Sequence, residues 1–154
     1  MNAVCLPPIC FLIAKRYGIS PKRLCVADSL DALRLAAWTH GISKAEAAAY
    51  GPKTHAVCIQ ADDVPGGEDV WIVLRLPLDP EAMSDTRARL KEHHCADTDR
   101  MLPESDDERL ICFLLLHEIG HHQLKHDGGG DKPQKEKEAD LWAVERLKEY
   151  FVAV

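Results

Sequence analysis

The motif His117-Glu-Ile-Gly-His121 places two histidines four residues apart, with a glutamate directly after the first. Residues with this spacing lie on one face of a helix, about one turn from each other, so both imidazoles can bind a single metal ion. Glu118 is within reach of a water bound to that ion and can act on it as a general base, because the metal lowers the pKa of the water. The motif therefore predicts a hydrolytic zinc site.

Two further acidic residues, Glu136 and Asp140, follow a Gly-rich reversal and have the same four-residue spacing. They offer a carboxylate as third metal ligand and a second carboxylate to hold a ligand imidazole in place. Two histidines and one glutamate leave a coordination position open, as a hydrolytic zinc ion requires. Glu138 points roughly 160° around the helix from Asp140, so it is expected to be a solvated partner for a lysine, and Glu136 is favoured as ligand. Gly120, which has no Cβ, should let another helix approach beside the metal.

Other polar side chains have weaker claims on the site. His122 and His126 lie off or beyond the metal face, and a surface or helix-capping role is expected for them. The segment His93-His94-Cys95 is interpreted as part of a polar loop. The residue that stabilises the oxyanion of the transition state comes from a loop that only the fold positions, so Tyr50, Arg75 and His126 all remain open.

At these residues the chain resembles the gluzincin peptidases, and more closely the ImmA/IrrE family of metallopeptidases. The resemblance rests on His117-Glu-Ile-Gly-His121, the trailing Leu124 and His126, and Glu136-x-Glu-Ala-Asp-x-Trp-Ala143, and it covers about residues 108 to 147. Members of that family are bacterial or phage cytoplasmic proteins that cleave, or trigger cleavage of, helix-turn-helix repressors. The resemblance therefore implies a zinc metalloendopeptidase whose substrate is such a repressor or another regulatory protein.

The resemblance also implies a zincin-like fold and a role for each site residue. Zn²⁺ would be bound by His117, His121 and Glu136, with Glu118 catalytic and Asp140 as the partner of a ligand histidine. The alternative is a zinc site that only staples two helices, in a catalytically silent module that acts by binding other proteins. The two differ in the coordination shell, because three protein ligands plus a water within reach of Glu118 favour an enzyme.

The rest of the chain predicts how these residues are positioned. A length of 154 residues fits one compact domain, taken as residues 1–154. Residues 55–60 and 69–76 alternate like strands around a Val-Pro-Gly-Gly turn, which predicts a β-hairpin. Val70, Ile72 and Leu74 should face one way and the intervening residues the other. A small twisted sheet packed on helices gives an α+β fold.

The hairpin is also the expected place for substrate docking. An extended peptide can add to an exposed sheet edge by backbone hydrogen bonding, so one hairpin strand should border the metal cleft. Trp71 and Arg75 are then the candidate cleft-facing side chains.

Helices are predicted elsewhere from apolar spacing and capping residues. Residues 20–49 should hold two helical stretches, residues 84–93 another, and residues 97–104 a loop. Ser105-Asp-Asp-Glu108 has the pattern of a capping box, and the apolar run after it predicts a core-crossing helix that ends near Lys125. A last helix should run from about Pro133 to Tyr150.

Composition excludes several other classes of function. The chain has 19 Lys plus Arg against 25 Asp plus Glu, a net charge of -6, and lacks a basic run with interleaved aromatic residues, so direct nucleic-acid binding is not expected. Residues 32–50 could be taken for a DNA-binding helix-turn-helix, but they lack the basic face of a recognition helix. Lys15 and Arg16 follow the N-terminal apolar run instead of preceding it, and the run is too short for a membrane span, which predicts a cytoplasmic protein. The six cysteines form no CxxC pair and are expected to be free thiols.

Overall fold

The computed structural model describes residues 5–61, 67–93, 95, 97–104, 106–126 and 130–152. Within these residues the fold is α+β, as predicted, with seven α-helices and a three-stranded mixed sheet. The strands are β1 (Leu24–Ala27), β2 (Ala56–Gln60) and β3 (Val70–Arg75). The helices are α1 (Pro8–Arg16), α2 (Leu30–Thr39), α3 (Lys44–Ala48), α4 (Pro80–Glu92), α5 (Thr98–Met101), α6 (Asp107–Gln123) and α7 (Lys132–Leu147).

The sheet has the order β1-β3-β2, so β3 is central and β2 lies at an edge. β2 and β3 pair antiparallel, which confirms the predicted hairpin pairing, while the turn residues 62–66 lie outside the described residues. β1 pairs parallel with β3, with Leu24 opposite Ile72. β1 was not predicted, because its four residues are too few to show an alternation and its partner is distant in the chain.

Both faces of β3 are covered by helices. Val70, Ile72 and Leu74 pack into the larger core cluster with α1 and α6, whereas Val73 and the half-buried Trp71 pack on the other side with α2. The predicted division of the strand into two faces is therefore confirmed. α6 is buried continuously from Arg109 to Gly120, which explains why its sequence is apolar on all sides.

Several element boundaries differ from the prediction. α4 begins at Pro80 because Asp79 caps it, accepting a hydrogen bond from the Ala82 amide. The predicted loop at 97–104 contains the short helix α5. The N-cap of α6 is Asp106, which accepts from the Arg109 amide, and Ser105 lies outside the described residues. In the part of the chain that is described, the helices are too short or too polar to cross a membrane.

Candidate metal centre

The close packing of α6 on α7 brings the predicted site residues together. A Cβ on Gly120 would lie 3.5 Å from the Cα of Ala139 and 3.2 Å from a ring carbon of Trp142. The absence of that Cβ lets the backbone of α7 approach α6, as the sequence predicted. Glu136, in the first half of α7, then lies against the histidines at the end of α6.

Three ligand atoms converge at one point between the two helices. The Nε2 atoms of His117 and His121 are 3.1 Å apart, and they lie 3.0 and 3.2 Å from the two carboxylate oxygens of Glu136. Among the described residues, these three form the one group of His, Cys, Asp or Glu side chains placed to hold a metal ion. With metal bonds of about 2 Å, ligand atoms at tetrahedral corners are about 3.3 Å apart, so the donor set fits a zinc-sized ion.

The electrostatics of these residues also favour a cation. Burial opposes ionisation of Glu136, but hydrogen bonds from His117 and His121 outweigh it and hold the pKa of Glu136 well below its usual range. Burial likewise opposes protonation of His117, but Asp140 and Glu136 raise the pKa of His117 to about 10. The surroundings of the histidine nitrogens are therefore strongly anionic, and a metal ion can supply the positive charge.

Asp140 contacts the Nδ1 side of the His117 ring and also contacts Arg89 of α4 and His93 at the end of that helix. Its side chain is 0% exposed, and its Oδ1 is 2.8 Å from His117 Nδ1, although the angle at the ring nitrogen departs from that of a hydrogen bond. Arg89 donates to both carboxylate oxygens at 2.9 and 3.0 Å, and His93 Nδ1 lies 2.7 Å from Oδ2. Burial opposes ionisation, but His117 and Arg89 lower the pKa of Asp140 to about 2. Asp140 is therefore an anion that lies against Nδ1 of His117, while Nε2 of that ring faces the candidate metal position.

His93 corrects the prediction of a polar loop at 93–95. It is the C-cap of α4, so its ring reaches back to the buried carboxylate of Asp140. His94 lies outside the described residues, and Cys95 is buried. Neither His93 nor Arg89 carried a local sequence signal, because their partner is about fifty residues away in the chain.

A second correction concerns His126 and Glu138. His126 Nδ1 is 2.8 Å from His121 Nδ1, and the other ring nitrogen of His126 is 3.3 Å from a Glu138 oxygen. His126 is outside the group of candidate ligands, as predicted, but its side chain is not a surface one, and the partner of Glu138 is this histidine where a lysine was expected. His122 instead turns its Nδ1 to the side chain of Gln60, 3.2 Å away on β2.

Glu118 is buried beside the three candidate ligands but is not one of them. Burial raises its pKa, although the neighbouring histidines act in the opposite direction. Together with His117, His121 and Glu136 it lines a cleft of about 770 Å³. The residue types and their placement therefore permit a general base next to a metal with an accessible side.

β2 and the segment after α3 also line this cleft. Ala56 to Gln60 line it along their whole length, together with Tyr50. Burial raises the pKa of Tyr50 to about 12, and the charges of Glu46 and Glu118 add to the effect. The Tyr50 phenol is therefore protonated at neutral pH.

Trp71 and Arg75 were wrongly expected to face the cleft. Neither side chain is among the described residues that line the cleft. Trp71 stacks on His40 with ring centroids 3.8 Å apart, and Arg75 donates to the Pro52 carbonyl and lies against His55. Both residues lie on the central strand β3, whose edges are already paired, and this could not be known while β1 was missed.

Comparison with other proteins does not assign this chain to a family. The chain matches no family model, and no curated protein or solved structure shows a significant match to it.

Proposed function

We propose that this protein is a zinc-dependent metalloendopeptidase with a zincin-like fold, of the ImmA/IrrE kind. The observation that carries the proposal is the convergence of two imidazole nitrogens and a carboxylate at an open cleft, with the buried Glu118 beside them. Two histidines and a glutamate match the ligand set of hydrolytic zinc sites, whereas purely structural sites usually close the fourth position with a protein ligand. Family membership is supported by the spacing of residues 117–121 and 136–140 alone.

A divalent zinc ion in this site would lower the pKa of a water and polarise the carbonyl of the peptide bond. Glu118 accepts the proton of the attacking water and passes it to the leaving amine. Burial suits this role, because a raised pKa brings the carboxyl group nearer to the working pH than an exposed glutamate would be. Asp140 keeps the ring of His117 oriented throughout, since it holds the nitrogen on the far side of the ring.

Tyr50 is the side chain that we propose to stabilise the oxyanion. Of the three open candidates, Arg75 is outside the cleft lining, and His126 has contacts at both ring nitrogens. Tyr50 lines the cleft and keeps its phenolic proton at neutral pH. A hydrogen-bond donor fixed at the place where negative charge develops lowers the barrier, because it needs no reorganisation during the reaction.

The edge of β2 is the proposed docking site for the substrate backbone. His55 accepts from the Arg75 amide, and the Ala61 amide donates to Asp69, so the odd-numbered residues turn their backbone groups towards β3. Ala56 and Cys58 consequently direct their amides and carbonyls away from β3, and both residues line the cleft. An extended peptide can pair with these groups and lie across the site.

Main-chain pairing tolerates many sequences, so the cleft is suited to a peptide segment of a protein substrate. A helix-turn-helix repressor or another regulatory protein of the bacterial or phage cytoplasm is the substrate class that we propose, on the family resemblance alone.

The test of the function is zinc-dependent cleavage. The purified protein, stripped with a chelator and reloaded with zinc, should cut candidate repressors encoded near its own gene, and the stripped protein should not. His121→Ala should lose stoichiometric zinc, because one of three protein ligands is removed. Full zinc retention by that variant would contradict the metal centre. Zinc-loaded protein that cuts none of the repressors nor a mixed peptide library would contradict the enzyme and favour the catalytically silent binding module.

A further inference from the structure

We propose that His126 and Glu138 form a positioning relay for the metal ligand His121, and that zinc affinity depends on this relay. The inference rests on the metal site of the proposed function but not on peptide hydrolysis. Neither residue is a predicted ligand, and they lie on the opposite side of His121 from the metal-binding nitrogen.

The backbone at the end of α6 is what places His126 there. The His126 amide donates to the His121 carbonyl, the Lys125 amide donates to the His122 carbonyl, and Lys125 has a φ of 57°. These are the two hydrogen bonds and the left-handed residue of a Schellman motif, which folds the chain back over the last helical turn. The side chain after the left-handed residue then meets the side chain at the start of that turn. In this protein those two side chains are His126 and His121.

The protons of the relay can be arranged in one consistent way. The Nε2 of His121 faces Glu136 and the Nε2 of His117, so a metal ligand at this atom must be unprotonated and the proton of His121 resides on Nδ1. That N–H donates to Nδ1 of His126, 2.8 Å away, which must therefore be the acceptor. The proton of His126 is then on Nε2, where it donates to the Glu138 carboxylate at 3.3 Å. In this arrangement each donor has an acceptor.

The two ligand histidines are thus supported differently. His117 has a carboxylate directly behind it, whereas His121 has a carboxylate behind an intervening imidazole. The imidazole is well protected, since the His126 side chain is 9% exposed, but Glu138 is 41% exposed. We therefore expect the largest effect from removal of His126 and a smaller effect from neutralisation of Glu138. Contacts behind a metal ligand typically change metal affinity by about 10–100-fold.

The experiment is a chelator competition that measures zinc affinity directly, on the full chain. His126→Ala should weaken zinc binding about tenfold, and His126→Asn should restore most of it, because the amide oxygen can accept from Nδ1 of His121. Glu138→Gln should weaken binding severalfold. Glu145→Gln is the matched control, because it removes the same charge from an exposed position of α7 and should leave affinity unchanged.

A second measurement does not depend on any variant being folded. Long-range proton–nitrogen NMR of the zinc-loaded wild-type protein reports which ring nitrogen carries each proton. The relay predicts a proton on Nε2 of His126 and on Nδ1 of His121. A proton on Nδ1 of His126, or zinc affinity of a folded His126→Ala within twofold of wild type, would overturn the relay. If the wild-type protein does not bind zinc at all, the metal centre itself is contradicted.

Discussion

Replacement of Asp140 by asparagine should destabilise the protein and weaken the metal site together. The side chain is 0% exposed, and its two oxygens face four nitrogen atoms from Arg89, His93 and His117. Asparagine keeps one oxygen but turns an NH₂ group towards two of those donors, whichever way it is placed. One of the two Arg89 bonds and one histidine contact are therefore lost.

The size of the effect follows from these contacts. Hydrogen bonds to charged groups contribute about 1.5–3 kcal/mol each, so loss of one Arg89 bond and one histidine contact would cost at most about 3–6 kcal/mol in a dry interior. Arg89 is 37% exposed, so water can replace part of what it loses. We therefore expect the free energy of unfolding of Asp140→Asn to fall by about 2–4 kcal/mol, and zinc affinity by about 10–100-fold.

The assay is urea denaturation of the metal-free proteins, followed by chelator competition with zinc. Asp99→Asn is the matched control, because it makes the same chemical change in a side chain that is 73% exposed and paired with Lys91 at the surface. That surface pair should contribute less than about 1 kcal/mol. If Asp140→Asn is no less stable than Asp99→Asn, the buried network does not hold α4 to α7. If its zinc affinity is also unchanged, Asp140 does not position His117.

Three further predictions concern the cleft and its frame. Tyr50→Phe should keep its zinc and lower kcat on the order of 10²-fold, and a wild-type kcat would remove Tyr50 as the oxyanion donor. Cys58→Pro deletes one outward amide of β2 and should raise KM for a long peptide, whereas Cys58→Ala should not; equal KM values would exclude docking on this edge. His55 accepts a hydrogen bond of 3.1 Å from the Asp79 amide, and burial lowers the pKa of His55 in the folded protein. Just below pH 6.5 the unfolded state therefore binds more protons at this residue than the folded state does. The free energy of unfolding, measured by urea denaturation, should therefore drop as the pH falls below about 6.5, and it should drop less steeply in His55→Asn. The same dependence on pH in the wild type and the variant would contradict this.

The candidate site could be predicted from the sequence because its residues have local spacing. Histidines at 117 and 121 share a helical face by spacing alone, and Glu136 and Asp140 repeat that spacing on the next helix. Gly120 also indicated correctly that a second backbone approaches at this point. The strands of the hairpin were recognised by their alternation, and their pairing followed from their proximity in the chain.

The rest depended on contacts between distant segments. β1 is short and pairs with a strand more than forty residues later, so that Trp71 and Arg75 lie on a central strand and not on the cleft. Arg89 on α4 and His93 at the end of that helix reach Asp140 on α7 only through the tertiary fold. The role of His126 was hidden for a different reason. A Schellman motif usually has glycine at its left-handed position, and here that position is Lys125.

The central claim is that a metal held by this site and the buried Glu118 together hydrolyse a peptide bond. It is tested most directly by incubating zinc-loaded wild-type protein and Glu118→Gln, at equal bound zinc, with a mixed peptide library and identifying new termini by mass spectrometry. The amide cannot accept a proton from water, so we expect cleavage by the wild type and essentially none by the variant, with the fold and the zinc content of both unchanged. Equal cleavage by the two proteins would show that Glu118 is not the base, and cleavage by neither would contradict the enzyme.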